Sequence, residues 1–481
     1  MRRVLIALPI AVGAVAYVAA DNVEFLAPLV FLSLAPLFAS LTGTSVRGAW
    51  RRGYLFGLVF GLGELFWIAQ LAQKWVHSLV LGIIPWLIAS VLMAIYFGVF
   101  ALMTRAAVLR GRWWAIPLIW SGIEILRSYI PLLAFPWGLL ASPLWHFPWL
   151  IQGARLGTIY LVSAWICAVN WSLGSPAATG RRLGLAGSVL AAGVCVSLVL
   201  YSVNPVTKPL RVTIGQTGVD MAFSNQATAQ SRTNAAVQSI VKSAERDRSE
   251  LLVLPEGTSS EKLPGAPVVG FTLDPDIPTV LGAQRGRSPA YQSAVGYDGR
   301  RWQSVDKTRL VIFGEFVPGR DFLPFLSAFN LPSGDLTAGE HGTQALHLRN
   351  LTVGPVICFE EVFPDIAFRQ AANGSRILTI LSIDDWFLGT SAPIQFTSAA
   401  VWRAVETGLP VARAASLGES IAVNAHGQII AQAPLRCLDA MTVELPVPVA
   451  PTFPFWLPAF PVAALIISVC AVSFKRGGTL A

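Results

Sequence analysis

Val353-Gly-Pro-Val-Ile-Cys-Phe-Glu360 is a short apolar run that ends on a thiol and a carboxylate. A run of this length reads as a buried strand, and reactive residues just beyond it read as a loop at the strand's carboxyl end. The same arrangement recurs upstream, where Leu251-Leu-Val-Leu-Pro255 leads into Glu256 and Asp306-Lys-Thr-Arg-Leu310 carries Lys307. Other strand-like runs are Leu210 to Ile214, Thr279 to Leu281, Ile377 to Leu381 and Ser420 to Val423. Helical patterns lie between several of them, at Thr228 to Arg246, Phe363 to Ala372 and Ser398 to Thr407. Strands alternating with helices predict an α/β layer architecture, whose strand-end loops are where sites assemble. Glu256, Lys307 and Cys358 are therefore expected to converge.

The three residue types make chemical sense together. A thiol needs a base to become a nucleophile, and an ammonium stabilises both a thiolate and the oxyanion of a tetrahedral intermediate. Glu256 is the candidate base and Lys307 the electrostatic partner. A carboxylate near an ammonium normally has its pKa lowered, so its surroundings must keep Glu256 basic. Taken singly, each residue has a plainer reading: a core thiol, a turn carboxylate before Gly257, a solvated loop charge.

Outside this segment the chain is of another kind. Of its 481 residues 54% are hydrophobic and only 13% charged, against about 25% charged in an ordinary globular chain. Apolar runs long enough for a hydrocarbon core of about 30 Å lie near residues 4–20, 24–42, 53–72, 79–102, 113–129, 155–174, 183–202 and 456–474. The run at 113–129 is the least simple, because it carries Glu124 and Arg127. Arg2, Arg3 and the Val18-Ala19-Ala20 end of the first run also fit a cleavable signal peptide, but the apolar run that follows almost at once favours a retained helix.

Basic residues cluster on alternate connections: Arg2 and Arg3; Arg47, Arg51 and Arg52; Arg105, Arg110 and Arg112; Arg181 and Arg182; Lys475 and Arg476. The intervening connections hold chiefly Lys74 and His77. By the positive-inside rule both termini are cytoplasmic and the segment from about 203 to 455 lies outside. The expected organisation is a membrane domain with seven helices at 1–202, an extramembrane α/β catalytic domain at 203–455, and a last helix with a cytoplasmic tail at 456–481. The net charge of +8 comes partly from arginines that face headgroups, and no basic face with interleaved aromatics points to nucleic acid.

Cys167, Cys195 and Cys470 lie in apolar stretches, where a buried small hydrophobe is expected, while Cys358 and Cys437 lie in polar sequence and are open to either a disulfide or two free thiols. His341, His347 and His426 read as loop residues, and neither a histidine cluster nor a Gly-rich phosphate loop suggests a metal or nucleotide cofactor.

The words around the reactive residues resemble the nitrilase, or carbon-nitrogen hydrolase, superfamily: Leu254-Pro-Glu-Gly257, Ile357-Cys-Phe-Glu360, and Lys307 followed by Leu310-Val311 and Phe313-Gly-Glu-Phe-Val-Pro318. The last word resembles the apolipoprotein N-acyltransferase branch. So do Asp384-Asp-Trp-Phe387, Arg403-Ala-Val-Glu-Thr-Gly408 and Pro410-Val-Ala-Arg413, and in the apolar half Trp120, Glu124, Arg127 and Phe135-Pro-Trp137. The resemblance implies about eight transmembrane helices plus a nitrilase-like αββα sandwich, in a bacterial inner membrane with the sandwich periplasmic. It implies transfer of an acyl chain from a phospholipid through a Cys358 thioester to the N-terminal amine of a diacylglyceryl-cysteine apolipoprotein, with no cofactor. Glu256, Lys307 and Cys358 would be the triad. Glu315, Glu360, Phe359 and Trp386 would support it, the two carboxylates by orienting Lys307 or the substrate amine. Trp137, Trp145 and Trp149 are candidates for interfacial anchors.

Several positions depart from the family's words. Phe359 replaces a Tyr, Ile383 an Asn, Phe396 a His, and Ser416-Leu-Gly418 an Asn-Thr-Gly, while a Lys-Trp pair is missing near Ala222-Phe223. These bear on acceptor preference and on whether the chain is a divergent second copy. Three other readings stay open: a membrane-tethered amidase in which water resolves the acyl-enzyme, a non-catalytic lipoprotein-binding protein, and a transporter, the last weakened because Glu64, Glu124 and Arg127 form no evident relay.

Overall fold

The computed structural model describes residues 2–76, 78–131, 133–259, 270–286, 288–320, 334–340, 344–450 and 455–473. The chain forms two units, a helical one of Met1–Val203 with Trp456–Ala481 and an α/β one of Asn204–Phe455.

The helical unit runs through α1 (Arg2–Asn22), α2 (Val30–Ser33), α3 (Ala35–Leu41), α4 (Val46–Glu64), α5 (Phe66–Val76), α6 (Leu79–Leu109), α7 (Ile116–Tyr129), α8 (Ala154–Gly174) and α9 (Thr179–Tyr201). Glycines let these helices approach closely. Gly53, Gly57 and Gly61 recur every four residues on α4 and face α6, where added Cβ atoms would meet the Phe97 carbonyl, Ala94 Cα at 2.8 Å and Ser90 Cα at 3.0 Å. This small-residue stripe is the usual basis for helix association in lipid, where burial alone gives no drive.

Every apolar run foreseen in the sequence contains helix, but the lengths differ. Among the described residues four helical stretches, Glu24–Leu41, Gly82–Leu109, Ala154–Gly174 and Thr179–Tyr201, are long and apolar enough to cross a membrane, or up to five counting α4 and α5 as one span bent by 45°. The expected eight crossings are thus supported to four or five. The α7 helix spans only 14 residues, and the polar residues flagged in it have a local task. Glu124 accepts from Leu140 N–H at 2.7 Å, and Arg127 donates to the Gly138 carbonyl at 3.2 Å. They satisfy the irregular backbone that follows α7, as an apolar surround demands. Trp137 is buried there, so it is no interfacial anchor, whereas Trp149 is exposed.

The α/β unit is built from β1 (Thr207–Gln216), α10 (Gln226–Arg246), β2 (Leu251–Val253), β3 (Thr279–Arg285), β4 (Tyr291–Tyr297), β5 (Trp302–Asp306), β6 (Leu346–Leu348), β7 (Leu351–Ile357), α11 (Pro364–Ala372), β8 (Ile377–Ser382), α12 (Ala392–Thr407), β9 (Val411–Ala415), β10 (Ile421–Val423), β11 (Ile429–Gln432) and β12 (Asp439–Pro448). Two six-stranded sheets result, ordered β12-β1-β2-β3-β4-β5 and β11-β10-β9-β8-β7-β6. In the first, β1, β2 and β3 are parallel; in the second, β7, β8 and β9 are parallel.

Side-chain alternation makes a four-layer stack. Leu251 and Val253 of β2 point into the core shared with Val353 and Ile357 of β7, while Leu252 and Leu254 pack on Val237 and Ile240 of α10. On the other side α11 lies against β7 and α12 against β9. Gly354 of β7 has no room for a side chain, because a Cβ would meet Gln370 Cβ of α11 at 2.7 Å. The αββα sandwich implied by the resemblance is therefore present. Last in the chain, α13 (Ala459–Ser473) belongs to the helical unit, where its Ser468 donates to the Leu118 carbonyl of α7 at 3.0 Å.

His347 lies in strand β6 rather than in a loop, His426 is in a turn, and His341 lies outside the described residues. Cys195 is exposed on α9, contrary to the expectation of burial, and Cys358 and Cys437 are both free thiols.

Candidate active site

The carboxyl ends of β2, β5 and β7 bring Glu256, Lys307 and Cys358 together. Lys307 Nζ lies 2.6 Å from Glu315 Oε1 and 3.4 Å from Glu256 Oε1, and the Cys358 thiol is within hydrogen-bonding reach of the Glu256 carboxylate. Lys307 is fully buried and Glu256 nearly so. Each is placed by its backbone. Gly282 of β3 lets the Glu256 main chain approach, since a Cβ there would overlap the Glu256 carbonyl and Cα. Lys307 is pinned from both sides, its N–H donating to Gln292 O at 2.8 Å and its carbonyl accepting from Gly339 N–H at 2.8 Å. Cys358 has a φ of +49°, a left-handed conformation that a non-glycine residue holds only when its surroundings enforce it.

Glu360 supplies part of that enforcement. One of its oxygens accepts from Thr308 N–H at 2.7 Å, Thr308 Oγ1 at 2.9 Å and Arg309 N–H at 3.1 Å, and the other accepts from Ile357 N–H at 3.1 Å. A single carboxylate thus joins the loop that carries Lys307 to the turn that carries Cys358. Glu315 touches Lys307 directly, and its second oxygen takes Val311 N–H at 2.8 Å. The two carboxylates therefore differ: Glu315 orients the ammonium, and Glu360 orients backbone.

Burial sets the proton inventory. It pushes the Glu256 carboxyl above its ordinary value, outweighing the pull of Lys307. Burial also pushes the Cys358 thiol well up, and Glu256 adds to the rise. For Lys307 burial acts downward, but Glu256 and Glu315 overcome it and hold the ammonium charged. The resting site is a neutral thiol beside a carboxylate kept basic by burial, with a fixed cation next to both. This is the arrangement needed for a thiol that gives up its proton only as it attacks.

Phe359 is half-buried with its ring edge-on to Phe363 at 5.4 Å, and Trp386 packs edge-on to Phe223 at 5.9 Å. Phe223 and Phe313 are 44% and 57% exposed, giving the loops around the site an apolar rim. Asp385 ties three loops, accepting from Met221 N–H at 2.7 Å and from the Ser416 hydroxyl. The departures from the family's words thus have local partners: Ser416 bonds Asp385, Ile383 packs on Gly257, and Phe396 packs on Phe387. Sequence reasoning gave no role to Glu361, Asp384 or Asp385, nor to Arg413, whose visible signal was a charge inside an apolar strand. Among the described residues no group of side chains has the makings of a metal site.

Residues 12–172 match the family model for the apolipoprotein N-acyltransferase N-terminal domain, and residues 292–451, which include Lys307 and Cys358, match that for carbon-nitrogen hydrolase. The chain is 28% identical to an apolipoprotein N-acyltransferase of Geobacter metallireducens, over 85% of this chain and 83% of that protein. It is 27% identical to one of Allorhizobium ampelinum, over 98% and 96%, and 29% identical to one of Gloeobacter violaceus, over 86% and 85%. Matching in both its helical and its sandwich unit, and along nearly its whole length to such relatives, the chain is similar throughout to apolipoprotein N-acyltransferases.

Proposed function

We propose that this chain transfers a fatty acyl group from a membrane phospholipid to the N-terminal amine of the S-diacylglyceryl cysteine of an apolipoprotein. The observation that carries this reading is the buried cluster of Glu256, Lys307 and Cys358 in a chain whose other unit is apolar helix.

In the first half-reaction Cys358 Sγ attacks the ester carbonyl while its proton passes to Glu256. Lys307 stabilises the oxyanion. The ester C–O bond breaks, Glu256 returns the proton to the departing oxygen, and a lysophospholipid leaves a thioester behind. In the second, the acceptor amine attacks the thioester and loses a proton to Glu256; the C–S bond breaks and the thiolate is reprotonated. Atoms balance with no metal or nucleotide. Glu315 holds the Lys307 ammonium through the cycle, and Glu360 keeps the lysine and cysteine loops in register. The exposed Phe223 and Phe313 suit an acyl-bearing substrate. The reading includes eight membrane crossings in a bacterial inner membrane, with the sandwich periplasmic, as the charges of the connections indicate.

Intact mass spectrometry of the detergent-purified chain and of Cys358→Ala, incubated with phospholipid and then with a diacylglyceryl-cysteine peptide, tests it. An acyl adduct that requires Cys358 and moves to the peptide amine is expected. Release of the adduct only as free fatty acid makes the chain a hydrolase, and undiminished turnover by Cys358→Ala overturns the mechanism.

A further inference from the structure

Arg413 sits in mid-strand and is fully shielded from solvent. Its neighbours Ala412 and Ala414 face the core between the sheets, so by the alternation of β9 its side chain leaves on the opposite face. There the guanidinium bridges two carboxylates. Nε and Nη2 donate to the two oxygens of Glu361, each at 2.9 Å, and Nη1 and Nη2 donate to the two oxygens of Asp384, each at 2.9 Å. Nη1 also reaches the Glu419 carbonyl at 2.7 Å.

A buried charge trio of this kind is a poor source of stability, because apolar packing of equal volume serves as well or better. It does supply geometry, since a planar fork fixes two carboxylates at one separation and angle. The two it fixes belong to different parts of the site. Glu361 lies in the turn Cys358–Val362, and Asp384 leads into the Asp385–Phe387 turn that carries Asp385 and Trp386. The left-handed Cys358 is thereby held from two directions, by Glu360 toward the Lys307 loop and by Glu361 toward β8 and β9. The crowding at Asp384 agrees, since Gly418 packs where any Cβ would overlap the Asp384 carboxylate.

We infer that Arg413 is a positioning residue for acyl transfer: by clamping Glu361 to Asp384 it fixes the cysteine turn against the loop of Asp385 and Trp386. The consequence for transfer rests on the function proposed above, whereas the consequence for the thiol does not. Burial brings the Glu361 carboxyl up to about 7 against the pull of Arg413, with Asp384 adding to the rise and Arg403 opposing it.

The test uses the full chain in detergent with Arg413→Lys and Glu361→Gln. A lysine keeps the charge but cannot present paired N–H groups to two carboxylates; a glutamine keeps the shape but weakens one side. Two readouts are taken on protein shown to be folded by its thermal midpoint: the rate and pH profile of Cys358 alkylation by iodoacetamide, with Cys358→Ala as background, and kcat and KM for transfer from phospholipid to peptide. Arg413→Lys is expected to slow alkylation at least fivefold with a displaced pH profile, and to lower kcat at least tenfold with KM within twofold. Glu361→Gln is expected to fall between it and the wild type. Wild-type alkylation and kcat in folded Arg413→Lys overturn the inference, and if that variant does not fold, the same result in Glu361→Gln does so. A wild type that alkylates at Cys358 but transfers nothing refutes the proposed function instead, and leaves the alkylation comparison to judge the clamp.

Discussion

Replacing Asp385 by Asn isolates one titration. Asp385 is buried, and burial, with smaller pushes from Asp384 and Asp220, raises its carboxyl from 3.8 to about 7, although bonds from Ser416 and Met221 pull the other way. The folded protein therefore holds a proton here that the unfolded chain has released. Its stabilising effect is fully present below the unfolded value and is lost as pH rises through the folded one. At about 1.4 kcal/mol per pKa unit, the loss between pH 4 and pH 8 is at most about 4 kcal/mol. For a domain of this size each kcal/mol moves the midpoint by about 2 to 4 °C, which sets a ceiling of roughly 8 to 16 °C for this single group. In Asp385→Asn the amide oxygen still accepts from Met221 N–H, and the amide nitrogen donates to Ser416 Oγ, so the loops remain tied without a titrating group. The assay is the thermal midpoint by tryptophan fluorescence from pH 5 to 8, wild type against variant. Glu361, also raised to about 7, slopes both curves and largely cancels in their difference. The variant's curve should be flatter, with the gap widening in its favour toward pH 8. Parallel curves would refute the claim that Asp385 folds in protonated.

Glu360→Gln turns an acceptor into a donor facing Ile357 N–H and weakens the bonds from Thr308 and Arg309, for a cost of about 2 to 4 kcal/mol. A lowered thermal midpoint together with at least tenfold slower acyl transfer is expected, and wild-type values in both would remove Glu360 from the framework of the site. Gly282→Ala places a methyl on the Glu256 main chain and must displace the base; since a shift of about 1 Å in a reacting group costs on the order of 10²-fold, transfer should drop by about that factor. Unchanged transfer by a folded Gly282→Ala would show that Glu256 is not held where the chemistry needs it.

The parts of the α/β unit legible in the sequence were those whose residues all serve one purpose. β2 and β8 are buried on both faces, so β2 is wholly apolar and β8 nearly so, with Thr379 and Ser382 its polar members, and each shows as a short apolar run. β4 escaped because its interior is partly polar: Gln292 and Ser293 are buried, and the Gln292 carbonyl holds Lys307 N–H while Ser293 Oγ donates to Asp306 at 2.6 Å. The turn after β4 did leave a mark, Asp298-Gly299, where Asp298 accepts from Arg301 N–H at 2.7 Å and Gly299 has a φ of +91°. β9 escaped for a related reason, because Arg413 breaks the apolar pattern of a strand whose partners, Glu361 and Asp384, lie far off in sequence.

The same contrast separates the residues around Cys358. Glu256 and Cys358 stand just past apolar runs and Lys307 just past the mixed strand β5, so each is marked in the sequence by its place at a strand end. Glu361, Asp384 and Arg413 satisfy one another in the interior, and alone Arg413 reads as an error in an apolar strand while Glu361 and Asp384 read as ordinary turn carboxylates. Only their geometry explains them together. A buried cation needs buried anions, and two anions on two loops can share it only if those loops are fixed. Local sequence thus marks the groups able to react, while the groups that hold them still are written as pairings across 52 residues for Arg413 and Glu361 and 29 for Arg413 and Asp384. Such separations leave no periodicity behind; Asp384-Asp-Trp-Phe387 and Pro410-Val-Ala-Arg413 stand out as words of a family, and the physical trace is a charge in a strand that has no other reason to carry it.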